Sequence, residues 1–598
     1  MTQAFVTQTA FTAGELDPRM LGRTDLRAYE SGASKLRNVF VDTTGGVRRR
    51  PGSTYVATAA GRGRLVGLEI GPDETYLLVF SDLQVQVFRG TTLRATVPTP
   101  WNEAQVSQIG WAQLRHGLII THPDVPAQRL LRTSETVWSL EDLAFAEKAG
   151  GVTCAPFARF AHPAIQIQAS TTTGSVTLTA SEPAFIADHI GGRVRIKSKQ
   201  VAITNLVSST QAAGLVIEDV EDTDPTTDWD ELAFSDARGW PVAVSFHQDR
   251  MVIGGSRDLP DGLWLSRIGS PFDFDLGEGL DDESISFRLA SSEVQAIRAV
   301  VSGRHLQVFT SAGEWIATGE PLTPTNIQVL QQSRVGSPRD RHVPPRDVDG
   351  ATLFAARNGR EIREYLFTVT EQAYQTADLA LLARHLVDHP IDQVFDQASR
   401  LFLVVMANGA LASIAIYRNA EIAAWSLQET KGRFVSVAVV DGTTMLLVER
   451  ANGVFLERFD ESLFVDSGLH LSAAEPVLVW SGLDHLEGQT VAVVADGLVS
   501  GKMIVSGGQI TLAQAARELV VGLPYAHVIE PLPSALLSGQ AGQNPAYRPV
   551  RVTLRLFESQ SVHIDTGDGL RDIPLHSIGG GPLDRPRSAA ARPVSGRR

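Results

Sequence analysis

A two-strand unit recurs along this chain: an apolar strand runs into a polar or Gly-bearing turn, and a second apolar strand ends on a charged or aromatic residue. Its copies span Leu77 to Arg89, Leu118 to Arg132, Met251 to Arg267, Leu306 to Thr318, Leu353 to Phe367, Leu401 to Arg418 and Met445 to Phe459. Each reads as a β-hairpin, and where the turn carries an Ala-Gly, Asn-Gly or Asp-Gly pair, Gly or Asn supplies the positive φ that a tight turn demands. Successive copies start roughly 40 to 55 residues apart, the period of a four-stranded propeller blade, with one gap of about 130 residues. A set of irregular hairpins in sandwiches is the other arrangement such pairs allow. The expectation is a mainly β chain: a β-propeller-like ring of about seven hairpin-containing blades, with an inserted small β domain and a C-terminal β domain.

The gap places the inserted domain at residues 150–238, where short alternating strands such as Ser175 to Thr179 and Arg193 to Ile196 lie between polar turns. The first blades then occupy 57–149 and the remaining blades 239–468. Residues 469–576, which hold Thr490 to Ala495 and the alternating Arg551 to Phe557, read as the C-terminal domain. Residues 577–598 turn to Gly, Pro, Ala, Ser and Arg and read as a flexible basic tail. Helical spacing occurs at Ala377 to Val387 and more briefly at Leu512 to Glu518.

Composition narrows the function. At 598 residues the chain exceeds one ordinary core. A formal charge of -14 opposes general nucleic-acid binding, which rests on Lys and Arg neutralising phosphates, although an acidic wall lets DNA slide past. The single Cys154 leaves no intrachain disulfide and fits synthesis in a cytoplasm. Met1 to Thr12 lacks the basic and apolar segments of a signal peptide, and no run approaches the roughly 18 apolar residues of a membrane-spanning segment.

Catalytic and cofactor motifs are missing. There is no phosphate-binding loop of the Gly-x-x-x-x-Gly-Lys type and no His-Glu-x-x-His. His385 and His389 have the spacing of two ligands on one helix face, but no acidic third ligand accompanies them. Asp273, Asp275, Asp281, Asp282 and Glu283 are oxygen-rich without the order of an EF-hand, so a solvated or interface loop is favoured over calcium. The repeated sialidase box is absent, with one loose echo at Ser235 to Trp240, and Trp264 and Trp315 read as core. The expectation is a non-enzyme with no catalytic residue, metal or cofactor.

Phe11 to Val56 is polar, Gly-rich and Arg-rich, with too few apolar pairs to fold alone, as in segments that wrap a neighbour. Here Gly14 is followed by Pro18, Arg23 and Asp25, then Asn38, then Gly45-Gly46 leading into Arg49-Arg50-Pro51-Gly52 and an apolar strand. A second block, Asp249 to Ile316, carries Leu265-Ser266-Arg267, Phe272-Asp273-Phe274, Asp281-Asp282-Glu283-Ser284-Ile285 and Glu314 before Trp315. In these two blocks the chain resembles the tail nozzle proteins of short-tailed bacteriophages, also called tail tubular protein B, and related phage stabilisation proteins.

The resemblance implies a virion structural protein synthesised in the host cytoplasm and placed in the virion tail. It implies a homohexamer around a central channel, docked on an adaptor ring beneath the portal and contacting tail fibres or spikes. Double-stranded DNA would pass through the lumen without sequence-specific binding. It also assigns Phe11, Gly14, Glu15, Pro18, Arg23, Asp25, Asn38, Arg49, Arg50, Pro51 and Gly52 to a subunit or adaptor interface. Arg48, Arg49 and Arg50 keep two readings, pairing with carboxylates of a neighbour or touching DNA, and their place before a strand favours pairing. Two rival functions remain beside the nozzle: a propeller that binds the host surface, and a propeller enzyme that degrades polysaccharide.

Overall fold

The computed structural model describes residues 7–420, 422–533, 551–559, 561–567 and 569–573, and the strand Arg587–Ala591. Every hairpin read from the sequence becomes the second and third strands of a four-stranded antiparallel blade. Blades 1 and 2 begin on Arg64–Gly71 and Gly110–Leu114; blades 3 to 7 begin on Ala243–His247, Ile297–Ser302, Arg346–Val348, Pro390–Asp396 and Arg433–Val440.

The apolar runs follow from burial on both faces of each blade. Successive residues of a strand point to opposite faces, so neighbouring residues of each second strand enter two different cores. Phe80 and Ile120 pack between blades 1 and 2, while Ile119 and Met251 pack between blades 2 and 3. Val252 and Val308 lie between blades 3 and 4, and Phe309 and Phe354 between blades 4 and 5. Leu353 and Val404 join blades 5 and 6, and Leu403 and Leu446 join blades 6 and 7. Leu447 and Val79 then join blade 7 to blade 1, which closes the ring. At roughly 1.5–3 kcal/mol per buried aliphatic or Phe side chain, each seam is a substantial core of its own. The chain is a seven-bladed β-propeller.

Blade 7 takes its outer strand from the other end of the sequence. Gly52–Thr58 pairs antiparallel with Gly453–Asp460, with Gly52 opposite Asp460. Blade 6 is likewise widened by Gly14–Glu15 and Gly32–Arg37, which run parallel to Ile422–Gln428. The linker between blades 4 and 5, residues 334–345, crosses the ring. The His342 N–H donates to Ser107 O at 3.0 Å, at the entry to blade 2, and its carbonyl accepts from Arg64 of blade 1.

Between blades 2 and 3 a separate seven-stranded sheet holds a core of Ile167, Leu178, Val201 and Trp229. After blade 7, Asp466–Ser481, Thr490–Ala495, Leu498–Ile504 and Gln509–Leu523 form a sheet with a core of Leu483, Val491 and Leu519. Residues 533–598 with 1–7 form a second compact unit, in which Val552–Leu556 pairs with Arg587–Ala591 and Val562–Asp565 with Leu570–Ile573.

Two expectations of helix are corrected. Ala377 to Val387 is the end of strand Ala373–Asp378, then turns and a single 3-10 turn, Arg384–Leu386. Ala380, Ala383, Leu386 and Val387 meet the core between blades 5 and 6 without helical geometry. Leu512 to Glu518 lies within strand Gln509–Leu523, paired along Asp466–Ser481. Arg551 to Phe557 falls in the second unit, not with Thr490 to Ala495, and residues 587–591 of the expected tail are a strand; the rest of that tail, 577–586 and 592–598, lies outside the described residues. Among the described residues no helix is long and apolar enough to cross a membrane.

Candidate functional site

The Phe11 to Val56 segment is built into its own chain. Gly14 sits in the left-handed region at φ 68°, and a Cβ there would lie 2.2 Å from the Trp425 nitrogen. Only glycine lets this strand approach blade 6 so closely. The adjoining Glu15 is buried and accepts from the Leu36 N–H at 2.7 Å, from His385 Nε2 at 2.8 Å and from Arg37. Burial pushes its carboxyl pKa up, but the hydrogen bonds from His385, Arg37 and Leu36 outweigh this and hold it below the ordinary value. Phe11 packs on the seam between blades 6 and 7 and donates its N–H to Gly45 O at 2.9 Å.

Arg50 is the centre of the segment. It is wholly buried, and all five guanidinium N–H groups have acceptors. Nε donates to Asn38 Oδ1 at 3.0 Å, and the two terminal nitrogens grip Asp466 at 2.8 and 2.7 Å. The remaining donors reach Pro51 O at 2.9 Å and Glu429 O at 3.0 Å. Tyr525 lies 3.8 Å from the guanidinium carbon and returns its hydroxyl to Arg50 O at 2.6 Å. Asn38, left-handed at φ 53°, also accepts from the Glu429 N–H at 2.8 Å and donates to Ala526 O at 2.7 Å. Pro51 and Gly52 are buried, and a Cβ on Gly52 would meet Val465 O at 2.3 Å.

These contacts form a clasp that ties the first strands to blades 6 and 7 and to the C-terminal sheet. Within the chain Glu15, Asn38, Arg50, Pro51 and Gly52 are all buried, and the side chains of Glu15, Asn38 and Arg50 have their partners there. Arg48 also pairs at home, with Asp42 at 3.0 Å and Glu461 at 3.5 Å. Arg49 lies over Tyr525 at 4.4 Å and Phe464 at 5.1 Å. Pro18, Arg23 and Asp25 remain exposed, the last two joined by a two-pronged ion pair at 2.8 Å. Asp466 and Tyr525 carried no sequence signal; they stand 416 and 475 residues from Arg50.

The second block is stapled from within in the same manner. Arg250, fully buried, donates to the carbonyls of Ser266 at 2.7 Å, Glu283 at 2.5 Å and Asp281 at 2.9 Å. Arg267 holds Asp282 at 2.9 Å, and Glu283 accepts from the N–H groups of Glu278 and Leu280 at 2.7 and 2.8 Å. Asp273, Asp275, Asp282 and Glu283 of the acidic loop therefore have their carboxylates turned to local donors. His385 binds Glu15 while His389 meets Asp388 at 3.0 Å, and with the helix gone their spacing has no common face. Among the described residues no group of three His, Cys, Asp or Glu side chains converges on one point.

No protein family and no curated protein matches the sequence. Among solved structures, BamB from Moraxella catarrhalis is similar at 11% identity and a TM-score of 0.33, covering 69% of this chain and 98% of its own. The WD40 domain of Pan2 from Neurospora crassa is similar at 9% identity and a TM-score of 0.26, covering 59% of this chain and 88% of its own. Both scores are too low to carry weight, and the propeller stands on its seven seams.

Proposed function

We propose that the chain is a structural subunit of a bacteriophage tail, a nozzle ring through which DNA is ejected into the host. Copies assemble as a homohexamer beneath the adaptor ring, contact tail fibres or spikes, and leave between them the channel that DNA uses. The observation that carries this reading is the free edge of the C-terminal sheet. Leu498–Ile504 is the last strand of that sheet, and its Leu498, Val499 and Ile504 are 73%, 84% and 66% exposed. An edge strand bearing apolar side chains is a liability for a lone subunit and suits one that meets other protein.

Two further features support it. Residues 334–345 cross the ring from blade 4 to blades 1 and 2, which favours a conduit between copies over one through a single propeller. Among the buried carboxylates, Glu15, Glu231, Glu314, Glu457 and Asp466 are each engaged by structural donors, which favours a structural role for them over that of the acid and nucleophile of a glycosidase. Electron microscopy of the purified chain and of virions tests the reading. Sixfold rings beneath the portal are expected, and a Leu498→Asp, Val499→Asp variant should stay folded yet fail to form them. Monomers at fibre tips would overturn it in favour of a host-binding propeller, and hydrolysis of host polysaccharide in favour of an enzyme.

A further inference from the structure

The innermost strands of five blades send polar or aromatic side chains towards the axis that the 334–345 linker crosses. Trp111 of blade 2 is a common reference: the guanidinium carbons of Arg64 and Arg346 lie 5.3 and 5.8 Å from its ring centroid, and the His342 ring lies at 5.7 Å. Arg298 of blade 4 joins them through its contact with the linker at Arg341 O, 3.4 Å away. Facing Arg64 and Arg346 is one carboxylate, Asp392 of blade 6, 3.7 Å from Arg64, while Arg298 faces Asp340. That carboxylate is already occupied by the Ser436 hydroxyl and by the N–H groups of Val437 at 3.2 Å and Gln393 at 2.9 Å. Asp340, the other acid nearby, is gripped by Arg341 at 3.1 and 2.8 Å and is largely exposed.

The donors are short of acceptors as well as of charge. Arg64 is served by the carbonyls of His342 and Ile391, the latter at 3.2 Å. Arg298 Nε, by contrast, is buried without a partner. Among the described residues Arg346 has a single hydrogen-bond acceptor, Gln393 O at 3.3 Å on its Nε. Burial and the like charges beside them push the pKa of Arg346 and of His342 down, the latter well below its ordinary value, so His342 is neutral and the arginines carry the charge. Uncompensated charge in such a place is costly unless a counter-charge joins it.

We propose that the propeller axis holds a small oxyanion of the phosphate or sulfate class, bound by the guanidinium groups of Arg298 and Arg346 beside Arg64 and Trp111. Guanidinium forks match the paired oxygens of such ions. The ion would pin the linker across the ring and balance the arginines. Its source is the free ion, because the arginines lie on the first strands of their blades with the linker packed over them. The site does not depend on the tail role.

Equilibrium dialysis of the full chain against labelled inorganic phosphate, in chloride at fixed ionic strength, tests this. One phosphate per chain is expected, displaced by sulfate but not by a short DNA duplex, together with a rise in thermal midpoint. Arg298→Gln and Arg346→Gln should each weaken binding by about tenfold or more, the loss of a charge-assisted hydrogen bond. If either fails to fold, Arg346→Lys keeps the charge without the fork and should still weaken binding. No binding above the chloride background, undiminished binding in the folded variants, or displacement by DNA would each overturn the site.

Discussion

Arg50 in the clasp and Arg64 on the propeller axis are buried, with Arg298 and Arg346 half-buried beside the latter, yet the two surroundings differ in kind. Around Arg50 five donors meet five acceptors, one of them a carboxylate held in both prongs of the fork, and an aromatic ring covers the face. On the axis Arg64 and Arg346 share Asp392, and Arg298 Nε has no acceptor. The first site is complete within one chain. The second has the chemistry of a site awaiting a counter-ion.

The comparison breaks most easily at the lock. Asp466→Ala leaves Arg50 buried beside unfilled space, and should cost about 3–5 kcal/mol, the usual penalty for removing one partner of a buried pair. Because Asp466, Asn38 and Tyr525 hold the first strands to the last sheet, the urea midpoint should fall and protease should cut near Phe11 to Val56. A loss under about 1 kcal/mol would mean that the clasp is incidental to closure.

Acid should separate the two regions by their windows. His342 has a folded pKa far below its ordinary 6.5, with Arg64, Arg298 and Arg346 facing it, so the unfolded chain takes up the proton first. Stability tied to the axis is complete above pH 6.5 and falls below it, by up to about 1.4 kcal/mol per pH unit. Glu15 also has a lowered pKa, but from an ordinary 4.5, so its contribution persists above that value and goes as pH falls through the folded pKa. At pH 5 exchange of the His342 N–H should accelerate while the Leu36 N–H, bonded to Glu15, stays protected. His122, depressed to about 4 by burial, adds acid sensitivity of the same sign to the whole ring. His342→Gln isolates the axial part, and an unchanged pH profile in that variant would remove it.

The ring was legible because its signal is local. Each hairpin brings together residues fewer than 20 apart, and burial on both faces writes itself as continuous apolar runs such as Leu401 to Met406. Closure was not legible, since Gly52–Thr58 pairs with a strand some 400 residues later and nothing in its composition names that partner. The spacing at Ala377 to Val387 misled because alanines and leucines at intervals of three or four also fit successive turns against a flat core. For the sites, the Arg-Arg-Pro-Gly run drew attention to Arg50 but not to its intrachain partner. The axial arginines gave no signal at all: they are single residues on the first strands of separate blades, brought together only by the ring.

In phosphate-free buffer Arg346→Gln should behave unlike any change at Arg50. It removes one weak hydrogen bond to Gln393 O and a contact with Trp111, and it also relieves repulsion from Arg64. The two effects oppose, so stability should move by no more than about 1 kcal/mol in either direction. Adding phosphate should then stabilise the parent chain and not the variant. A large loss without phosphate would show that the axis is already balanced, and the contrast with the clasp would collapse.

The smallest effect belongs to the part of the N-terminal segment that the clasp leaves outside. Arg23 and Asp25 form a two-pronged pair at 2.8 Å, yet both are exposed, at 52% and 63%. Water and salt screen such a pair, and holding two side chains in one geometry costs entropy, so Arg23→Ala should leave the urea midpoint unmoved. Its value as a test lies in that silence. If the nozzle reading holds, the same substitution should weaken ring assembly or adaptor docking measured by native mass spectrometry, a readout that folding alone does not shift. Unchanged assembly would confine the segment to its intrachain role, and the Phe11 to Val56 stretch would then be a clasp throughout.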